Sequence, residues 1–321
     1  MKTSKENEAG LVLLKNTDVD NVKVSVLLLT KNAGKLFNDL LNALVKQELN
    51  YPYEIVMIDS SSTDDTVKNA SKYDIKIYQI PAANFGHGKT RNLAAQLTKG
   101  EIVVYLTQDA VPSNTKWLHN LTERLQESGA AGCFGRQIPR PGTLPPDMYS
   151  YSMDYPDYDF MINKESAPTR SVIFSDVNSA LKKSILLRYP YQSEILVSED
   201  VYWANLVMNK GYSIAYSSSG TVIHSHIYKI VDIFRINFDQ GVGHSQSQTQ
   251  ATSLGGTSIK RFVGKTRHLF VEKHWRWIPY VIFVDALRFL AVFLGEHHKY
   301  LPHWLKRRLG KLNFYWSRND T

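Results

Sequence analysis

The run Val22 to Leu29, VKVSVLLL, is apolar, rich in β-branched residues and too short for a helix, which predicts a strand buried on both faces of a parallel sheet. The period then changes. In KLFNDLLNALVKQ, Leu36, Phe37, Leu40, Leu41 and Leu44 recur at steps of three and four, predicting a helix that lays one apolar stripe on a sheet. Glu54 to Ile58 (EIVMI) predicts the next strand, which runs into DSSSTDDT, where Ser62 with Asp65 three residues on predicts a capped helix start. A third strand over Ile75 to Ile80, a helical pattern over His87 to Leu97 and a fourth strand over Glu101 to Leu106 continue the alternation.

Strands alternating with amphipathic helices predict an α/β fold, a doubly wound, mostly parallel, Rossmann-like sheet whose ligands bind outside the carboxyl ends of the strands. The segments TKN, DSSS, FGHGK and TQD all fall at those ends. Past Gly135 the pattern gives way to RQIPRPGTLPPDMYSYSMDYPDYDF, which reads as a long irregular excursion of the lid or binding-loop kind. Regular structure is expected to return at Ser171 to Ser175, in a helix from Glu199 to Lys210 with Gly211 as its C-cap, and in short strands at Ser213 to Tyr216 and Thr221 to His224.

Composition adds a location and a surface. The 321 residues are 43% hydrophobic and 21% charged, which fits a folded protein of one large or two modest domains. The opening MKTSKENEAG lacks an apolar core of the secretory kind, so a cytoplasmic location is expected. The single cysteine, Cys133, lies in the apolar run AAGCFG and is read as a buried small residue. Of the net charge of +8, the segment Lys260 to Lys311 carries +9, from 12 Lys and Arg against 3 acids, leaving −1 elsewhere. A near-neutral body with one basic end argues against nucleic acid and for an anionic surface at that end, such as a membrane.

Ile278 to Leu294, IPYVIFVDALRFLAVFL, is long and apolar enough to raise a transmembrane question. Asp285 and Arg288 oppose it, since each charge at a bilayer centre costs about 2.5 to 3.5 kcal/mol on insertion scales. A helix lying in the interface, flanked by Trp275, Trp277, Trp304 and Trp316 and by basic residues, is the expectation; a helical pair packed on the core or on another subunit is the alternative.

Four groups of residues carry candidate chemistry. Asp109, after the strand and before Pro112, reads alone as a turn acid; it also suits a divalent cation holding a diphosphate. His224 and His226 in TVIHSHIY end a predicted strand, and an HxH pair on a strand points both rings to one face. Glu199 and Asp200 open a helix, where acids complement the helix dipole, yet either suits a general base. In NFGHGKTRN two glycines, His87, Lys89 and Arg91 stand where a helix begins, which makes an anion site or a solvated basic turn. The segment lacks the GxxxxGK[ST] pattern, and no GxGxxG follows the first strand, which disfavours a nucleoside triphosphatase and a nicotinamide-dependent dehydrogenase.

Taken in order, TKNAG, DSSSTDDT, GHGKTRN, TQDA in the place of a DxD, SED and the HSH pair resemble the family-2 inverting glycosyltransferases of GT-A fold. FGHGKTRNLA with TQDA and HSH is similar more narrowly to bacterial rhamnosyltransferases that use dTDP-L-rhamnose to build cell-surface polysaccharides. The resemblance covers roughly Val22 to Tyr228 and implies a catalytic domain over residues 21–230, with a nucleotide-sugar half at 21–112 and an acceptor half at 113–230. A polar tail over 1–20 and a basic, aromatic-rich helical extension over 231–321 flank it.

The same resemblance implies roles. Thr30, Asn32, Asp59 and Ser61 would meet the base and ribose, Asp59 first, while His87, Gly88, Lys89, Arg91 and Gln108 would lie by the diphosphate or sugar. Asp109 with His224 or His226 would hold Mg2+ or Mn2+, Asp200 would be the base, and Asn178, Glu199 and Trp203 would serve the acceptor. The implied partners are a dTDP-sugar or UDP-sugar donor, a polyprenyl-linked saccharide acceptor and the inner face of the cell membrane, with a homo-oligomer left open. Thr107 departs from the pattern, standing where DxD has its first acid. A sugar-nucleotide-forming nucleotidyltransferase and a catalytically degenerate membrane scaffold are the alternatives.

Overall fold

The computed structural model describes residues 10–166, 174–247, 256–312 and 315–316. Its strands are β1 (Val12–Lys15), β2 (Val24–Thr30), β3 (Tyr53–Asp59), β4 (Lys76–Gln79), β5 (Ile102–Thr107), β6 (Val111–Pro112), β7 (Gly132–Ile138), β8 (Phe160–Ile162), β9 (Asn178–Lys182) and β10 (Ile214–Ile223). Its α-helices are α1 (Leu36–Leu44), α2 (Thr66–Ala70), α3 (His87–Gln96), α4 (Trp117–Ser128), α5 (Pro145–Asp154), α6 (Lys183–Arg188), α7 (Glu199–Asn209), α8 (Ile230–Ser247), α9 (Gly256–Val271), α10 (Ile278–Glu296) and α11 (His303–Leu309). The chain folds as two compact units. One comprises residues 1–138, 155–193 and 203–224, the other 139–154, 194–202 and 225–321.

The first unit holds all ten strands in one sheet of order β1-β4-β3-β2-β5-β9-β7-β10-β6, with β8 also on β10. Strands β4, β3, β2 and β5 are mutually parallel, and β2 and β3 are buried along nearly their whole length, as unbroken apolar runs require. Beyond β5 the sheet is mixed, because β9 runs antiparallel to both β5 and β7 while β7 and β10 are parallel. Thr30 pairs with Asp59 and Leu29 with Thr107 in register, so three strand ends present their loops together.

Several expectations are corrected in detail. The helix after β3 is not capped by Ser62; the Asp64 carboxylate accepts from the Thr66 N–H at 3.0 Å and from its hydroxyl, and Ser62 instead turns to Asp59. Part of the expected polar tail is edge strand, since β1 pairs antiparallel with β4. The two short strands near 213–224 are one strand, its register shifting between Ser217 and Val222, where the Gly220 N–H donates to Ser217 Oγ. The Pro- and Tyr-rich excursion opens with the last three residues of β7, contains α5 and ends on Phe160, the first residue of β8; α5 begins with Pro145 and Pro146, in the turn whose N–H groups lack helical partners anyway. Of the element expected at Ser171 to Ser175, residues 171–173 lie outside the described residues, and Phe174 and Ser175 are in neither helix nor strand.

The second unit is helical. Helices α8 and α10 cross so closely that a Cβ on Gly241 would meet the Val292 carbonyl oxygen at 2.2 Å, and one on Gly295 would meet that of Phe238 at 2.1 Å. Leu196, Phe238, Val242, Ala291 and Trp316 form the buried core beside this crossing.

Candidate active site

The loops at the ends of β2 and β3 form one hydrogen-bonded platform. Asp59 is fully buried, and its carboxylate accepts from Thr30 Oγ1 (3.1 Å), from the Ser62 N–H (2.8 Å) and hydroxyl, and from Gln79 Nε2 (3.1 Å). Asn32 and Ser61 both take positive φ, at 46° and 59°, a conformation asparagine tolerates and serine adopts under constraint. That constraint is visible: the Asn32 N–H donates to Ser62 Oγ, its side chain accepts from the Thr63 N–H, and Ser61 Oγ donates to the Ile80 carbonyl. Gln108 ties β5 to the same platform, accepting the Lys31 N–H at 2.8 Å and donating to the Lys31 carbonyl at 3.2 Å. At Thr107, where a DxD has its first acid, the hydroxyl is buried without a hydrogen-bond partner among the described residues.

The GHGKTRN segment opens α3, and most of its side chains face inward. Gly88 is required because a Cβ there would lie 2.7 Å from the Gln192 carbonyl oxygen. Asn92 grips the adjacent backbone, donating to the Tyr191 carbonyl at 2.8 Å and accepting its N–H at 3.0 Å. Arg91 is 7% exposed and pairs with Asp176, 1% exposed, at 3.2 Å, with the Tyr105 and Tyr191 rings about its guanidinium at 5.7 and 5.9 Å. The diphosphate role expected for Arg91 therefore meets a side chain already held in a buried ion pair. Lys89 is exposed. The half-buried His87 ring packs edge-on to Phe85, and burial together with the Arg91 charge pushes its pKa down to about 3, so it is neutral at physiological pH.

Asp109, just past β5, and His224, just past β10, come together: Asp109 Oδ1 lies 3.7 Å from His224 Nε2. On the other side of the ring, His224 Nδ1 lies 2.9 Å from Gln137 Oε1, while Gln137 Nε2 donates to the Tyr155 hydroxyl at 2.8 Å. Because the amide nitrogen is committed to Tyr155, the amide oxygen faces the ring; Nδ1 then carries a proton, and in the neutral imidazole Nε2, on the Asp109 side, is the nitrogen with the lone pair. His226 follows two residues on. Asp109, His224 and His226 each offer one ligand atom within 4.8 Å of the others, a carboxylate and two imidazoles of the kind that bind Mn2+ and similar cations. The donor set and the buried partner behind His224 fit a divalent cation. Gln137 was missed by sequence reasoning, since it sits inside β7 and belongs to no motif.

The acceptor candidates divide. Asn178 is fully buried, accepting from Trp117 Nε1 at 2.9 Å and donating to the Gly220 carbonyl at 2.8 Å, so its polar atoms hold the sheet together. Trp203 is fully buried against Phe174 and Tyr191, with its Nε1 donating to the Tyr189 carbonyl. Both are structural rather than surface groups. In the second unit Glu199 is buried and Asp200 partly exposed in the first turn of α7, with Ser198 before them at φ 66° and Asp200 Oδ1 accepting the Val201 N–H at 2.8 Å.

Comparison with known proteins agrees with this geometry. Residues 25–189 match the model of glycosyl transferase family 2. The chain is 30% identical to the O-antigen chain rhamnosyltransferase RfbN of Salmonella typhimurium, over 92% of this chain and 96% of the relative. It is also 30% identical to the O-antigen chain rhamnosyltransferase WbaN of Salmonella anatum, over 90% and 94%. Among solved structures, the mannosyltransferase PcManGT of Pyrobaculum calidifontis, in complex with GDP-Man and Mn2+, superposes with a TM-score of 0.55 at 18% identity, over 95% of this chain and 89% of that one, a likeness of GT-A fold. The nucleotidyltransferase and scaffold alternatives gain nothing from these matches. By family model and by near full-length relatives, the chain belongs to glycosyl transferase family 2 and is a glycosyltransferase.

Proposed function

We propose that this enzyme transfers L-rhamnose from dTDP-L-rhamnose, with inversion, to a hydroxyl of a polyprenyl-linked saccharide at the cytoplasmic face of the membrane. The observation that carries the reading is the Asp109–His224 pair backed by Gln137, which supplies an oxygen and an oriented nitrogen at the strand ends where a nucleotide sugar binds in this fold. The two O-antigen rhamnosyltransferase relatives support the sugar. In this reading the Thr30–Asp59–Ser62 platform, with Asn32 and Ser61, receives the nucleoside, and His87 and Lys89 face the diphosphate or sugar.

Asp200 accepts the proton of the acceptor hydroxyl as the acceptor oxygen bonds to the anomeric carbon. The bond from that carbon to the diphosphate oxygen breaks in the same displacement, leaving dTDP and, from a β-linked donor, an α-rhamnoside. Mg2+ or Mn2+ would be held by Asp109, His224 and His226, and when bound it offsets negative charge on the departing diphosphate.

A panel of nucleotide sugars tests the reading by thermal shift and by turnover, with and without EDTA. dTDP-L-rhamnose with Mg2+ or Mn2+ is expected to stabilise the protein and to be consumed, and EDTA to remove both effects. Asp200→Asn is expected to abolish transfer while sparing donor binding. Stabilisation by a UDP-hexose alone would overturn the donor, and transfer retained in Asp200→Asn would overturn the base.

A further inference from the structure

The charges inside α10 turn toward the protein. Lys265 of α9, itself buried, contacts both carboxylate oxygens of Asp285 at 3.0 and 3.1 Å. Arg288 pairs with Asp285 at 3.1 Å and reaches Asp147 of α5 at 3.6 Å. Val281, Val284 and Ala291 are buried on the same side, and Gly295 packs directly on α8. The opposite side is apolar without interruption. Ile282, Phe283, Phe289, Leu290 and Phe293 are each 44% to 54% exposed, and their spacing of one, six, one and three residues traces one stripe along the helix. At 1.5 Å per residue that stripe is roughly 17 Å long.

The stripe has basic and aromatic ends. Lys273, Trp275 and Arg276 are exposed just before α10, and Lys299 and Tyr300 just after it, with Arg307 and Arg308 exposed on α11. We infer that this face of α10 is a membrane-docking surface that lies in the plane of an anionic bilayer, the apolar stripe entering the acyl boundary and the basic ends meeting phosphate head groups.

Two other dispositions fit the observations less well. Trp275–Glu296 is long and apolar enough to span a bilayer, but a span would carry Asp285 and Arg288 into hydrocarbon, part Asp285 from Lys265 of α9 and strip α10 from its backbone contact with α8. A second copy of the chain on this face would set two excesses of positive charge, +9 over Lys260 to Lys311, against each other, whereas anionic lipid complements them. The inference rests on the proposed reading only for its purpose, bringing the enzyme to a lipid-linked acceptor.

The test uses the full chain with lipid alone, so it is independent of donor and acceptor. In flotation with phosphatidylcholine vesicles, with and without phosphatidylglycerol, wild type is expected to bind the phosphatidylglycerol vesicles preferentially and to be released by salt. Phe289→Ser with Phe293→Ser is expected to lower partitioning by roughly tenfold or more, since two exposed phenyl groups no longer enter the bilayer. Lys273→Glu with Arg276→Glu is expected to remove the preference for phosphatidylglycerol. Unchanged circular dichroism and melting temperature verify that the variants fold. Wild type that binds neither vesicle, a serine variant that binds as well as wild type, or a dimer by analytical ultracentrifugation that the serine variant dissolves, would each overturn the inference.

Discussion

Gln137 and His224 form a fixed pair: the buried amide accepts the ring's Nδ1 hydrogen at 2.9 Å and thereby aims Nε2 at Asp109. A hydrogen bond behind a ligating imidazole sets both its tautomer and its orientation, and losing such a partner typically costs 10- to 100-fold in metal affinity. Gln137→Leu is therefore expected to raise the Mn2+ concentration for half-maximal activity by about 10- to 100-fold. Transfer at saturating Mn2+ should largely recover. Metal titration of activity checks this, and an unchanged titration would remove Gln137 from the site.

Thr107 decides what the missing acid means. Its hydroxyl is buried without a hydrogen-bond partner among the described residues, so the position holds the strand end through its backbone alone, the N–H donating to the Val177 carbonyl at 3.2 Å and the carbonyl accepting the Ala110 N–H at 3.0 Å. Replacing an unsatisfied buried hydroxyl with a methyl group is near neutral or stabilising. Thr107→Val is expected to leave cation-dependent turnover intact and to shift stability by no more than about 1 kcal/mol in either direction. Loss of cation dependence in that variant would make Thr107 a participant after all.

The Arg91–Asp176 pair predicts a stability defect rather than a binding defect. Removing one member of a buried ion pair leaves the other uncompensated, at a cost of about 3 to 5 kcal/mol. Asp176→Ala or Arg91→Met is expected to lower the melting temperature by on the order of 10 °C. Arg91→Lys keeps the charge but loses the planar group that rests on both Tyr105 and Tyr191, so a smaller loss of about 1 to 2 kcal/mol is expected, with donor affinity retained. If Arg91→Lys melted normally but failed to bind nucleotide sugar, Arg91 would be a phosphate ligand.

Buried parallel strands announce themselves, which is why β2, β3 and β5 emerge from the residue pattern to within two residues. Helix α5 does not, because its tyrosines, serines and prolines carry no 3.6-residue apolar rhythm. Asp109 and His224 were legible as a constellation of metal-ligand types at strand ends. What sequence could not provide was burial. Arg91, Asn178 and Trp203 have side chains that look suited to ligands, yet their partners, Asp176, Trp117 and Tyr189, are brought to them only by the fold. Gln137 shows the reverse: an unremarked polar residue in a strand that burial turns into a positioning group.

Asp239 predicts a pH dependence in the helical unit. Its carboxylate is buried, with Oδ2 accepting the N–H groups of Lys311 and Leu312 at 2.9 and 3.0 Å, and Oδ1 without a partner among the described residues. Burial pushes its pKa up to about 6, against the opposing pull of those two N–H groups and of Lys311. An aspartate in the unfolded chain titrates near 3.9, so between about pH 4 and 6 the folded state holds the extra proton and the Asp239 contribution to stability falls as pH rises. The contribution is fully present below about pH 4 and lost above about pH 6, a difference of up to about 3 kcal/mol. Asp239→Asn keeps an acceptor for the two N–H groups and carries no charge. It is expected to be more stable than wild type at pH 8, with the gap narrowing to nothing near pH 4. Urea melts of both proteins across that range measure the gap; a constant difference, or a wild type that gains on the variant as pH rises, would show that Asp239 does not titrate in the fold as its burial requires.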